Sequence, residues 1–175
     1  MKKLFTLIGA ILITGSVMAQ KPSSDSPFSL EGNINYNSMD GISFTAPSVR
    51  LRYFFKDNMA GRVEIGMMNT SINDSTGTSM MNIGLGYEYH LDGTDKMSPY
   101  FGARVGFGSD TDAADVKTSS LAFGIVGGMD YYVRESIYVG LELGLGFGST
   151  TVGDADAQTT FGNSMMSAVR MGWRF

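Results

Sequence analysis

The chain has 175 residues, with 13 Lys and Arg against 17 Asp and Glu, a single His and no Cys. Lack of Cys excludes disulfides, thiolate metal sites and a lipid-modified N-terminus, a single His excludes sites built on two imidazoles, and the net acidity argues against nucleic acid as a partner. With 43% apolar residues, 23 Gly and 4 Pro, the composition suits alternating strands.

Lys2 and Lys3, the apolar run Leu4 to Ile13, then Gly15, Ser16 and Val17-Met18-Ala19 read as a secretory signal peptide cleaved after Ala19. The run falls short of the roughly 20 apolar residues that a spanning helix requires. Residues 1–19 are thus expected to leave, and residues 20–175 to form one domain of 156 residues with a formal charge of −6. Gln20 to Pro27 is a short polar lead.

From Phe28 onward the chain alternates with the period of two that marks a strand with one apolar face. Phe28, Leu30, Gly32, Ile34 and Tyr36 oppose Ser29, Glu31, Asn33, Asn35 and Asn37. Met39 to Pro47, with Asp40-Gly41, is read as the turn that ends this strand. In the second strand Val49, Leu51, Tyr53 and Phe55 alternate with Arg50 and Arg52. Lys56-Asp57-Asn58 turns it into a third, where Val63, Ile65 and Met67 alternate with Arg62, Glu64 and Met68. Thr70 to Thr78 reads as a polar loop. The fourth strand carries Met81, Ile83, Leu85, Tyr87, Tyr89 and Leu91 against Asn82, Gly84, Gly86, Glu88 and His90.

Asp92 to Met97 turns the chain into the fifth strand, Phe101, Ala103, Val105 and Phe107 against Tyr100, Gly102, Arg104 and Gly106. Ser109 to Thr118 reads as an acidic loop. The sixth strand sets Leu121, Phe123, Ile125, Tyr131 and Val133 opposite Asp130, and Arg134-Glu135-Ser136 leads to the seventh. There Val139, Leu141, Leu143, Leu145 and Phe147 oppose Gly140, Glu142, Gly144, Gly146 and Gly148. A loop over Ser149 to Thr160 precedes the last strand, Met165 to Phe175, with Val169, Met171, Trp173 and Phe175 on one face and Arg170 and Arg174 on the other. These eight strands are joined by connections that run long, short, long, medium, long, short, long.

The closing strand, amphipathic and ending on Phe175, resembles the C-terminal signature of bacterial outer-membrane barrels. The run RYFFKDNMAGRVEIG, the strand opening SPYFGARVGFG and the hairpin GGMDYYVRESIYVGLELG extend that likeness across the mature chain, which resembles the small outer-membrane barrels of the outer-membrane protein A and X type. The resemblance implies an all-β, eight-stranded antiparallel up-and-down transmembrane barrel in the outer membrane, with both termini periplasmic and the longer loops outside. It also implies that Val169, Met171, Trp173 and Phe175 form an assembly signal recognised by the barrel-assembly machinery. It says far more about fold and location than about activity.

Volume decides which face is which. An eight-stranded interior is just wide enough to be filled by side chains or to hold one small ligand. Tyr53, Phe55, Tyr87, Tyr89, Phe101, Phe107, Phe123, Phe147, Trp173 and Phe175 would overfill it. Gly84, Gly86, Gly106, Gly124, Gly144 and Gly146 mixed with long charged side chains can pack there, so the apolar face is expected against outer-membrane lipid. Parity then collects Arg50, Arg52, Arg62, Arg104, Arg170 and Arg174 in the lumen with Glu31, Glu64, Glu88, Asp130 and Glu142. In so narrow a space these charges should pair into a network that plugs the barrel.

No catalytic, metal or cofactor site is expected. His90 faces inward near the Asp92 turn, where no nucleophile, base and orienter can be assembled by a local pattern. Asp40, Asp74, Asp110, Asp112, Asp115, Asp154 and Asp156 lie in the outer loops, and Asp110, Asp112 and Asp115 lack the Gly and terminal Glu of a calcium loop. Met67, Met68, Met80, Met81, Met165 and Met166 could suggest copper or heme ligation, but they alternate between faces without a His partner, which reads as strand packing. The sequence therefore describes a non-enzymatic outer-membrane barrel that contributes to envelope structure or to surface interaction through its outer loops, with a narrow channel for ions or small solutes as the alternative.

Overall fold

The computed structural model describes residues 26–37, 41–73, 76–162 and 168–175; the expected signal peptide, Asp40, Asp74, Met165 and Met166 lie outside them. The described chain is built of strands: β1 (Phe28–Asn37), β2 (Gly41–Lys56), β3 (Met59–Asn73), β4 (Thr76–His90), β5 (Met97–Thr111), β6 (Lys117–Arg134), β7 (Ile137–Val152), β8 (Gln158–Gly162) and β9 (Ala168–Arg174). Each pairs antiparallel with the next from β1 to β7. β8 and β9 take the eighth position in succession, against opposite halves of β7, and β9 pairs with β1 to close the ring. Closure leaves the ring from β1 to β9 without a free sheet edge at its terminal end, the solution a membrane demands because lipid offers backbone groups no partner. Phe28 and Phe175 exchange backbone hydrogen bonds of 3.1 and 2.9 Å, and the end of the barrel that they mark is here called the terminal end.

Strand lengths depart from the sequence reading. Of the segment from Met39 to Pro47 read as a turn, the described part is strand, because β2 begins at Gly41. The register on β1 jumps from Gly32↔Val49 to Asn33↔Thr45, and this bulge accommodates Pro47, which has no N–H to give a ladder. The segments read as loops over Thr70 to Thr78, Ser109 to Thr118 and Ser149 to Thr160 are strand over half their length or more, leaving turns at 112–116 and 153–157 among the described residues. Strands of 15 to 18 residues exceed the roughly 9–11 that span a bilayer. Ser, Thr and Asn do not interrupt a ladder once both faces meet water, so the barrel wall continues past its apolar band at the end away from the termini. The long-short asymmetry of the connections is really an asymmetry of strand overhang.

The outer face carries the apolar residues. Ile125 and Leu143 are 67% and 62% exposed, a state that is unfavourable in water and natural in lipid. Aromatic rings cluster towards both ends of this band. Phe28 lies 5.0 Å from Tyr53, Trp173 5.1 Å from Phe175 and Tyr89 5.4 Å from Phe101 near the terminal end, while Phe123, Phe147 and Phe161 form a ladder at 5.5 and 4.8 Å further along.

Inside, large side chains lie over glycines of the neighbouring strand. A Cβ on Gly172 would stand 2.7 Å from Tyr138 Cε1, and one on Gly140 would stand 2.6 Å from Asp130 Oδ1 and 2.9 Å from Arg170 Nη2. Tyr138 cannot retreat, because its hydroxyl donates to Glu31 Oε1 at 2.5 Å. We expect Gly172→Ala to cost about 1–3 kcal/mol, the usual penalty of overpacking. Gly61→Ala, where a Cβ meets nothing within 4 Å, should leave the denaturant midpoint of the refolded barrel almost unchanged. Equal midpoints for the two variants would contradict this packing.

Candidate functional site

Two layers fill the lumen at and above the terminal end. The first is aromatic: Phe54, Tyr132 and Tyr138 are buried there with Ala60, and the rings of Tyr132 and Tyr138 are 5.2 Å apart. His90 joins them, 5.0 Å from Phe54 and 5.1 Å from Tyr100.

Above it lies a layer of charge centred on Arg52, a fully buried side chain in the second half of β2. Its guanidinium reaches Glu31 at 2.8 Å, Glu88 at 2.8 Å and Asp130 at 2.5 Å, from β1, β4 and β6. The rings of Phe54, Tyr100 and Tyr138 stand around it at 5.5 to 5.7 Å, so the cation is held by aromatic faces as well as carboxylates. Arg170 bridges Glu31 at 2.8 Å and Asp130 at 3.0 Å and donates to the Tyr100 hydroxyl. Tyr100 in turn donates to Glu142 Oε2 at 2.8 Å. Arg62 spans Glu88 at 2.5 Å and Glu142 at 2.7 Å.

A final tier faces away from the terminal end, and its Glu64 and Arg104 line a cavity. Arg50 pairs with Glu64 at 2.8 Å and Glu31 at 3.5 Å, and Arg104 with Glu64 at 2.8 Å and Glu142 at 3.4 Å. Arg104 and Glu64 keep 14% and 18% side-chain exposure, against 0 to 2% for the charges below. Ten of the eleven lumen residues identified by parity therefore meet in one connected set of five Arg and five carboxylates. Arg174 sits at the terminal rim, where Nε donates to the Ser26 carbonyl at 2.9 Å. The balance matters, because a buried ion keeps its charge only when paired and hydrogen-bonded.

The sequence reading places Tyr100 on the inward face and leaves Phe54, Tyr132 and Tyr138 unassigned, although the parity each shares with a lumen charge on its own strand is the signal that could have found them. What alternation cannot express is that Phe54, Tyr132 and Tyr138, on the charged face, gather with His90 near the terminal end. His90 has a further surprise: its Nδ1 is 2.8 Å from Ser98 Oγ and its Nε2 3.3 Å from Glu88 Oε2. This is the connectivity of a nucleophile, base and orienter. Ser98, His90 and Glu88 are 2%, 4% and 0% exposed, and Glu88 is already committed to Arg52 and Arg62.

Above Glu64 and Arg104 the lumen opens into a cavity of about 200 Å³ lined by Asn82, Gly84, Gly106, Gly108, Ser120 and Ala122 among others. At the mouth, Asp112 shapes the β5–β6 turn: its Oδ1 accepts the N–H groups of Ala114 at 2.8 Å and Val116 at 2.9 Å. Asp115 adopts a left-handed φ of 63° in the same turn. Among the described residues no group of three His, Cys, Asp or Glu side chains is placed to hold a metal ion. Val169, Met171, Trp173 and Phe175 face outward on and just beyond β9, each between 42% and 55% exposed.

A closed antiparallel barrel, apolar outside and charged within, defines an integral β-barrel membrane protein. Its family model is matched over residues 7–175, and the chain belongs to the outer membrane protein beta-barrel domain family. Among solved structures it is similar to the outer membrane protein OprG from Pseudomonas aeruginosa, at 13% identity and a TM-score of 0.53, covering 91% of this chain and 99% of that one. It is also similar to the N-terminal β-barrel domain of Pseudomonas aeruginosa OprF, at 14% identity and a TM-score of 0.48, covering 86% and 98%. No curated protein sequence matches the chain. The protein is thus an outer-membrane β-barrel protein.

Proposed function

We propose that this barrel is a sealed, non-catalytic outer-membrane protein that serves envelope structure or surface contact through the end away from its termini. In this reading both termini are periplasmic, the overhanging strands and their turns stand outside the cell, and the outward residues of β9 are the handle for the assembly machinery. The observation that carries the proposal is the seal: the aromatic layer and the ten paired charges fill the lumen between the terminal end and the cavity above Glu64 and Arg104. The Ser98–His90–Glu88 chain belongs to this seal and is almost wholly buried, which supports a structural role for those residues.

The test is single-channel conductance of the refolded mature protein in a planar bilayer, with folding checked on the same sample by heat-modifiable gel mobility. A folded and silent barrel is the expected result. Reproducible current that changes when Arg62 or Glu64 is replaced, in variants that still fold, would replace this reading with that of a narrow channel.

A further inference from the structure

Two cross-strand methionine pairs stand next to each other on β3 and β4, Met67 with Met81 and Met68 with Met80. Because successive residues face opposite sides of a sheet, Met67 and Met81 continue the outward row of Ile65 and Ile83. Met68 and Met80 continue the inward row of Glu64, Asn82 and Gly84. The inward pair extends around the wall, since Met80 is opposite Asp110 on β5 and Asp110 is opposite Thr118 on β6. Met68, Met80, Asp110, Asp112, Thr78 and Thr118 all line one cavity of about 210 Å³ at the mouth away from the termini.

Packing does not account for this group. Met68 and Met80 are 48% and 38% exposed, so they face open space where a core methionine would meet neighbours. Asp110 Oδ1 is buried, and among the described residues no donor reaches it, a costly condition for a carboxylate oxygen. Asp112 differs, its Oδ1 being engaged by two backbone N–H groups.

We propose that this row is a binding site for a soft monovalent cation of the copper(I) type, ligated by the Met68 and Met80 thioethers and neutralised by the Asp110 carboxylate. Thioethers are soft ligands that select copper(I), whereas calcium, magnesium and manganese prefer oxygen. Directly opposed residues on neighbouring strands have Cβ atoms about 4.5–5.5 Å apart. Two flexible, unbranched methionines at that spacing reach a common ion without any movement of the backbone. The chain has no Cys, and its single His is buried in the seal, so methionine sulfur supplies the soft ligands open to solvent. The alternation of methionines between faces gives a matched pair inside and another outside, all four of which line one further cavity at the rim, and among the described residues only the inner pair has a carboxylate beside it in the register.

The outer pair is therefore the natural control. The refolded mature barrel would be titrated in detergent, in chloride-free buffer, with silver(I) as a redox-inert probe, and uptake followed by calorimetry and native mass spectrometry. We expect saturable binding of a single ion that is lost in Met68→Leu/Met80→Leu and retained in Met67→Leu/Met81→Leu, both being volume-conserving changes. Asp110→Asn should bind about tenfold more weakly or worse, the loss typical when a supporting group is taken from a metal site. Equal binding by the two double-leucine variants, or equal loss in both, overturns the proposal. So does a site that takes up calcium in an Asp110-dependent way and ignores the inner methionines, since that would be a hard-cation site.

Discussion

Replacing Arg52 with methionine is expected to destabilise the folded barrel by about 3–5 kcal/mol, the cost of removing one partner from a buried ion pair. The substitution keeps an unbranched side chain of similar reach, so it leaves the outer face and the glycine packing as they are. What it removes is the cation shared by Glu31, Glu88 and Asp130 at 2.8, 2.8 and 2.5 Å, leaving five carboxylates with four arginines below the cavity. Denaturant unfolding in detergent, read by gel mobility, measures the loss. Adding Asp130→Asn in the same chain should recover part of it, because one uncompensated charge disappears while Arg170 keeps Glu31 at 2.8 Å. Additive or worse losses from the two changes would mean that the charges act separately and that no coupled network exists.

The second large effect belongs to the outer face. Leu143 lies midway along β7 and is 62% exposed, and Leu143→Arg is expected to cost about 2–4 kcal/mol in a bilayer, the penalty for a cation near the midplane of a barrel's lipid face. Thr151→Arg, on the same strand beyond the Phe147 ring, should cost about 0–1 kcal/mol, as near the interface. The comparison is made by folding both variants into vesicles and measuring the fraction that reaches the heat-modifiable form. If both fold as well as the parent chain, the apolar face does not meet lipid, and the assignment of inside and outside is wrong.

Much of this architecture was legible locally. Alternation with period two assigned Arg50, Arg62, Glu142 and Arg170 to one face and Leu51, Val63, Leu143 and Val169 to the other, because the pleat of a strand is a property of adjacent residues. The volume of an eight-stranded interior then chose which face goes in. The overhanging strands were misread as loops for an equally local reason: Ser, Thr and Asn are common in turns, and where both sides of a wall are wet no alternation betrays the ladder. The bulge opposite Gly32 and Asn33 was hidden because it depends on register with a partner strand.

Partners across the lumen had no local signature. Arg52 meets Asp130 across 78 positions and Arg170 meets Glu31 across 139, and the identity of such pairs is set by strand tilt and stagger when the ring closes. The convergence of Phe54, Tyr132 and Tyr138 with His90 at one level, and the alignment of Met68, Met80 and Asp110 in one row, arise from the same stagger. The amino-acid sequence by itself determined the strand count, the two faces and the residues that enter the lumen, since those follow from periodicity and side-chain volume. Which of those residues touch, where the lumen is sealed and where it stays open were decided only by closure of the barrel, because closure alone fixes the relative height of strands far apart in the chain.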